Sequence, residues 1–186
     1  MDNCIALQDL DSDLQCGNNT GGILKVVAFY HADVETWPSE PSAPESLAAF
    51  ATFVDDLVMK TGKKAVLISL PQNKGSFAIT EQGEMGGMSH QMELTIFQNG
   101  ISPEFLGFMG VTKNAKMGFL VTDTNGQMYL MGDKDTAAMR TSGDGATTGT
   151  ARTDLRSGSV KFIYPVNNPR IYTGDFDSLL IEAPGG

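Results

Sequence analysis

The stretch FLVTDTNGQMYLMG, residues 119–132, decides the fold. Two runs of β-branched, aromatic and other apolar residues flank Asn125-Gly126, a pair that favours a two-residue β-hairpin turn. Such a turn predicts four cross-strand pairs: Val121 with Leu130 and Asp123 with Met128 on one face, Leu120 with Met131 and Thr122 with Tyr129 on the other. Because both faces carry apolar pairs, neither is expected to be an ordinary solvent-exposed face.

Length and composition predict one ordered domain spanning residues 1–186. The hydrophobic content is 41% and the charged content 19%, a balance typical of a chain with a buried core. The formal net charge of -9 argues against a protein that grips nucleic-acid phosphates through Lys and Arg.

The N-terminal segment is acidic and lacks the basic and apolar regions of a secretory signal, so we expect no signal peptide. No apolar run approaches the ~18 residues that a membrane helix needs, so no membrane association is expected. Cys4 and Cys16 are the two cysteines, and without a secretory context we interpret them as free thiols.

Hydrophobic periodicity predicts the elements of the first half. The run 23–30 indicates a first strand, and 31–44, rich in Pro, Ser and Glu with a lone Trp37, indicates an exposed loop. Apolar residues at helical spacing predict a helix over 44–60 with one face packed on a sheet. Further strands are expected at 64–70, 75–82 and 89–98, and Ser102-Pro103 is expected to begin a short helix.

The second half is expected to contain two hairpins, the one quoted above and one within 147–166 that places Val160, Phe162 and Tyr164 on one face. A long Gly-, Thr- and Asp-rich loop, 132–149, is expected between them. Residues 1–20 and 167–186 lack clear periodicity and are interpreted as arms. The order of elements predicts a mainly β protein, a β-sandwich or partly closed β-barrel with one packed α-helix and one short helix.

No catalytic, cofactor-binding or metal-binding residue is predicted, so we do not expect an enzyme. His31 and His90 are the two histidines, too few for a three-histidine zinc site. Ser89 lacks the second glycine of a nucleophile elbow. The acidic run 9–13 lacks the turn glycine of a calcium loop, and 142–149 lacks the Gly-Lys-Ser/Thr ending of a phosphate loop.

The segments FLGFMGVTKNAKMGFLVTDTNGQMYLMG and TTGTARTDLRSGSVKFIYPV, together with CGNNTGGILKVVAFY near the start, resemble structural proteins of tailed bacteriophages. The resemblance, over roughly 16–166, is to tail-tube-type subunits of phages that infect gut Bacteroidetes, including the crAss-like group. Its motifs are a short helix, a strand ending in Asp-x-Asn-Gly, a Gly/Thr loop and a last core strand.

This resemblance implies a structural virion protein, assembled in the cytoplasm of a host bacterium into a tail ring or tube through which DNA is ejected. The partners implied are other copies of the chain and adjacent tail or portal-proximal proteins, and DNA passes without sequence-specific binding. One face of the hairpin would then contact a neighbouring subunit. The candidate interface residues are Leu120, Val121, Thr122, Tyr129, Leu130 and Met131.

A second hypothesis is a monomeric β-sandwich that binds a carbohydrate or another surface ligand. Its candidate recognition surface comprises Trp37 and the loop 133–149.

Overall fold

The computed structural model describes residues 7, 8, 10 and 21–180, and the two cysteines and the acidic run lie outside this part of the chain. The strands are β1 (Ile23–Tyr30), β2 (Val34–Thr36), β3 (Val58–Met59), β4 (Val66–Ser69), β5 (Ser76–Gln82), β6 (Ser89–Asn99), β7 (Met117–Asp123), β8 (Met128–Met131), β9 (Met139–Thr147), β10 (Ser157–Val166) and β11 (Ile171–Tyr172). The helices are α1 (Leu47–Phe50) and α2 (Pro103–Val111), with short 3-10 helices at His31–Asp33 and Asp177–Leu179.

The described strands form a β-sandwich. A five-stranded sheet has the order β11-β8-β7-β1-β4, a four-stranded sheet has the order β5-β6-β10-β9, and β2 pairs with β3 in a small ribbon. Every pairing between named strands is antiparallel. The predicted mainly β fold is confirmed in its sandwich form.

The five-stranded sheet is covered on both faces. Its inner face packs on the four-stranded sheet, where Phe119 and Phe162 stand 4.5 Å apart between ring centroids. Its outer face packs on the segment that contains the β2–β3 ribbon and on the segment around Tyr172. The molecule therefore has two cores, one on each side of β1, β7 and β8.

The turn of the β7–β8 hairpin is longer than predicted. Thr124, Asn125 and Gly126 lie between the closing pair Asp123 and Gln127, and Gly126 has φ 85°. This is the three-residue loop in which one glycine takes the left-handed position. The register consequently differs by one from the prediction: Phe119 opposes Met131, Leu120 opposes Leu130, Val121 opposes Tyr129, and Thr122 opposes Met128.

The predicted helix over 44–60 is wrong beyond its first turn. Ser46 caps α1 by accepting a hydrogen bond from the Ala49 amide, but the helix ends at Phe50. The following backbone bonds to distant segments instead, including Phe53 N to Ile171 O at 3.1 Å. This pairing, together with the β-branched residues that follow Phe50, overrides the helical periodicity.

Two predicted irregular segments belong to the core. In 31–44, β2 pairs with β3, Val34 is buried and Trp37 packs partly buried on the outer core, so the segment is not a wholly exposed loop. Over 167–180 the expected arm forms β11 and contributes the buried Leu179.

The predicted long loop 132–149 is largely the strand β9, which pairs with β10 through an irregular register between Ser159 and Lys161. Gly143 lies close to the backbone of β10 there, so its missing side chain allows the approach. The predicted face of Val160, Phe162 and Tyr164 is confirmed as core.

The short helix is confirmed as α2, and the Ser102 hydroxyl accepts a hydrogen bond from the Phe105 amide. Strands β4, β5 and β6 also lie within the predicted segments.

Candidate functional site

Both faces of the β7–β8 hairpin are covered by elements of the same chain. Leu120 and Leu130 are buried in the outer core with Tyr172. Val121 and Met131 are buried between the two sheets. The premise of the interface prediction, that a second subunit must cover one face, is therefore wrong, because the fold of one chain covers both.

The other two candidate interface residues, Thr122 and Tyr129, differ in their access to the surface. Thr122 is 8% exposed, and its hydroxyl has no hydrogen-bond partner within the described part of the chain. Tyr129 reaches the surface at the end of the sheet, where its ring stacks on Phe77 with centroids 4.9 Å apart. Of the six residues, Tyr129 is the one that a ligand or partner can contact without unfolding the hairpin.

An uncovered apolar edge lies at β4, the end strand of the five-stranded sheet. Val66 is 54% exposed and Leu67 is 47% exposed. Successive residues of a strand point to opposite faces, so both faces are apolar at this edge. The strand has no charged residue, although charges, proline or a covering element usually protect an edge from pairing with another chain.

The outer face of the four-stranded sheet carries a charged pair beside apolar residues such as Ile163 and the 49% exposed Met139. Glu93 and Lys161 form a salt bridge of 2.5 Å across β6 and β10, and Gln91 donates a hydrogen bond to Glu93. The hydrogen bond from Lys161 lowers the pKa of the Glu93 carboxyl, which holds the pair in its charged form. The lysine charge on this face is thus balanced by a neighbouring carboxylate.

A cleft opens at the end of the sandwich between the β7–β8 turn and the start of β5. Its volume is about 540 Å³. Phe77 and Tyr129 form an aromatic wall, and Asp123 and Asn125 bring polar side chains from the turn. The cleft combines a flat apolar surface with carboxylate, amide and phenol groups.

The β7–β8 turn shapes the cleft. This turn has three residues, one more than the sequence predicted. The Asp123 carboxylate accepts hydrogen bonds from the amides of Asn125 and Gln127, both at 2.9 Å. The Tyr129 hydroxyl donates to the Gln127 side chain at 3.0 Å. Burial raises the pKa of Tyr129, and the nearby Asp123 carboxylate raises it further, so the phenol stays neutral at physiological pH.

Trp37 is not the exposed platform that the binding-module hypothesis requires. Its ring lies 4.8 Å from His31 and 6.0 Å from Phe29 between centroids, and it packs against the backbone at Gly132. Trp37 is thus half-buried, and residues 139–147 of the predicted recognition loop form β9. Ligand binding by these residues stays a prediction.

Beside Trp37 lies a polar cluster that secures the chain after β8. The Asp133 backbone carbonyl accepts from His31 Nε2 at 2.6 Å, and its carboxylate accepts from the Tyr164 hydroxyl at 2.6 Å. Burial, followed by the hydrogen bond to Asp133, raises the pKa of Tyr164 well above its ordinary value. No nucleophile contacts His31 among the interactions of the described chain, and we interpret the cluster as structural.

His90, the other histidine, bonds the Asn167 carbonyl through Nδ1 at 2.8 Å. Among the described residues, no group of three or more His, Cys, Asp or Glu side chains is placed to hold a metal ion. In the same part of the chain, no helix has the length and apolar character needed to cross a membrane.

The chain matches no protein-family model, no curated protein and no solved structure.

Sequence reasoning missed the two surface features, the β4 edge and the cleft. The run 66–69 gave no signal for the edge, because an uncharged apolar run is typical of a strand in the middle of a sheet. The edge position follows from the pairing of β4 with β1 at the end of the strand order. The cleft had no local signal, because Phe77 and Tyr129 are far apart in the sequence and meet only where the two sheets cross.

Proposed function

We propose that this protein is a structural virion protein, a subunit of a ring or tube in a phage tail. The resemblance of its strand and turn motifs to tail-tube-type subunits supports this role, and its mainly β sandwich with a short helix is compatible with it. The observation that carries the proposal is the uncharged β4 edge with its exposed Val66 and Leu67.

In this proposal the contact between subunits lies at β4 and not at the hairpin. An open edge strand can extend its sheet by pairing with a strand of another copy, and main-chain hydrogen bonds then provide the contact. If the edge of one copy meets a different surface of the next, the repeated contact gives a ring when the rotation closes and an open helical filament when it does not. The apolar side chains that β4 exposes become buried on assembly.

The Glu93–Lys161 pair on the outer face of the four-stranded sheet is compatible with the wall of a channel for DNA. Because Glu93 neutralises Lys161 there, this pair presents no uncompensated cation to a passing polyanion. The net charge of -9 further disfavours adhesion of DNA phosphates.

The test is the size of the particle in solution, measured by sedimentation over a wide range of protein concentration and by negative-stain imaging. We expect annular assemblies of the 19.9 kDa chain. The double variant V66K/L67K should remain a folded monomer, because two charges on the edge prevent strand pairing.

The matched control is Val54→Lys, a change at a residue that is 65% exposed in the segment between β2 and β3. This variant should assemble like the natural protein. A natural chain that stays monomeric at every concentration, or a V66K/L67K variant that still forms rings, contradicts the proposal.

A further inference from the structure

We propose that the cleft between Phe77, Tyr129 and Asp123 is a binding site for a neutral saccharide. The inference is independent of the assembly at β4, because different residues carry it.

The aromatic wall provides the surface that a sugar ring needs. Phe77 from β5 and Tyr129 from β8 stack with an interplanar angle of 30°, and Ile79 continues the apolar wall along β5 with 38% exposure. A sugar presents apolar C–H groups on a ring face and hydroxyls around the rim. Tyrosine suits this pattern because it combines an apolar ring with a polar tip.

The polar groups of the cleft are held in place before any ligand arrives. Two backbone amides bind one oxygen of the Asp123 carboxylate, and the carboxylate also interacts with the Tyr129 hydroxyl. A carboxylate has about four lone-pair sites, so an acceptor position remains for a sugar hydroxyl. Ser76 also lines the cleft, and its hydroxyl can both donate and accept.

Charge restricts the ligand class. Among the described residues that line the cleft, Asp123 carries a charge and none is a lysine, arginine or histidine. A phosphate, sulfate or uronate in the cleft would meet the carboxylate with no cation among these residues to balance the repulsion. A neutral sugar has no such cost.

The dimensions suit more than one sugar residue. The volume of about 540 Å³ lies within the typical range of ligand sites, about 300–1,000 Å³. An adjoining cavity of about 560 Å³ shares Gly21, Gly22, Ile23 and Gly75 with the cleft. Gln72, Asn73 and Lys74 line this second cavity, and the Lys74 amine lies 5.2 Å from the centroid of the Phe97 ring. Hydrogen-bonding groups therefore continue beyond the cleft.

The test uses the full-length protein and four neutral trisaccharides as probes: maltotriose, cellotriose, mannotriose and N,N′,N″-triacetylchitotriose. Saturation-transfer NMR detects binding, and calorimetric titration measures the affinity. At least one probe should bind. Tyr129→Ala should weaken the affinity by about tenfold or more, and Tyr129→Phe, which keeps the ring, should cause a smaller loss.

A second variant tests the cleft from another position, in case the substitution of Tyr129 prevents folding. Ile79→Arg projects a long side chain into the cleft from an exposed position of β5 and should abolish binding while the unfolding temperature stays unchanged. Tyr30→Ala is the control, since Tyr30 is 44% exposed at the other end of β1, and its affinity should equal that of the natural protein.

Three results overturn the proposal. The first is that none of the four probes binds at concentrations up to about 10 mM. A dissociation constant above that concentration is far weaker than recognition requires. The second is binding that Ile79→Arg and Tyr129→Ala leave unchanged. The third is that an extended peptide, which could pair with the open edge of β5, binds the cleft in preference to every saccharide. None of these results bears on ring formation through β4.

Discussion

Thr122 carries a buried hydroxyl that has no hydrogen-bond partner in the described structure. An unsatisfied buried polar group costs about 1–3 kcal/mol. We therefore expect Thr122→Val to raise the free energy of unfolding by about 1 kcal/mol, as measured by urea denaturation.

Thr112 provides a matched comparison for that change. It is also buried, with 1% exposure against 8% for Thr122, but its hydroxyl donates to the Phe108 carbonyl at 2.7 Å. Thr112→Val should lower the stability by about 1 kcal/mol. If Thr122→Val destabilises the protein as much as Thr112→Val does, the Thr122 hydroxyl has a partner in solution.

Tyr164 should make the protein sensitive to alkaline pH. Its pKa is raised in the folded state by burial and by the hydrogen bond to Asp133, whereas an unfolded tyrosine ionises near pH ~10. The stabilisation is fully present below pH ~10 and is lost as the pH rises above it, because only the unfolded state then releases the proton.

The measurement is the urea midpoint between pH 8 and 11. Tyr164→Phe should be less stable by about 1 kcal/mol at neutral pH, yet its midpoint should fall less steeply with rising pH. Parallel pH profiles of the two proteins would show that Tyr164 does not contribute to this dependence.

At the scale of elements, α2 packs against β10 at a glycine. A Cβ atom at Gly158 would lie 2.2 Å from the ring of Phe105, the buried residue of α2. We expect Gly158→Ala to destabilise the protein by about 1–3 kcal/mol, because the ring must move within a packed core.

Gly107, on α2 itself, is the control for this prediction. Apart from its two chain neighbours and the backbone of its own helix, no described atom lies within 4 Å of the position of its missing Cβ, and alanine favours a helix over glycine by about 1 kcal/mol. Gly107→Ala should therefore stabilise the protein in the same denaturation experiment. Equal effects of the two substitutions would contradict the proposed contact between α2 and β10.

At the scale of the whole molecule, Arg170 joins three segments that are distant in the sequence. It is 5% exposed, donates to Glu40 at 2.5 Å and to the Phe50 carbonyl at 3.1 Å, and lies over the rings of Phe50 and Phe53. The outer core thus depends on a residue outside every strand and helix.

We expect Arg170→Met to reduce the free energy of unfolding by about 2–3 kcal/mol, since it removes hydrogen bonds from a charged group and leaves the Phe50 carbonyl without a donor. Arg170→Lys should lose less, because it keeps the charge but not the planar geometry of the guanidinium. A change below about 0.5 kcal/mol, the range of ordinary surface substitutions, would contradict this role.

The sequence by itself determined the strands with clear alternation and the helix α2. In β6, Met92, Leu94 and Ile96 alternate onto one face, and Ser102-Pro103 marks the start of α2. These elements are predictable because their signals are local: side-chain period, capping and turn residues act within a few positions. The sequence also indicated that neither face of the hairpin is exposed to solvent.

Tertiary structure alone decided which elements cover those faces. The segments 51–59, 139–147 and 171–180 have weak or misleading local signals, and their conformations depend on distant partners such as the pairing of Phe53 with Ile171. The same holds for the cleft, which exists only where Phe77 meets Tyr129. Local periodicity records that a residue is buried, but the identity of its neighbours depends on contacts between distant parts of the chain.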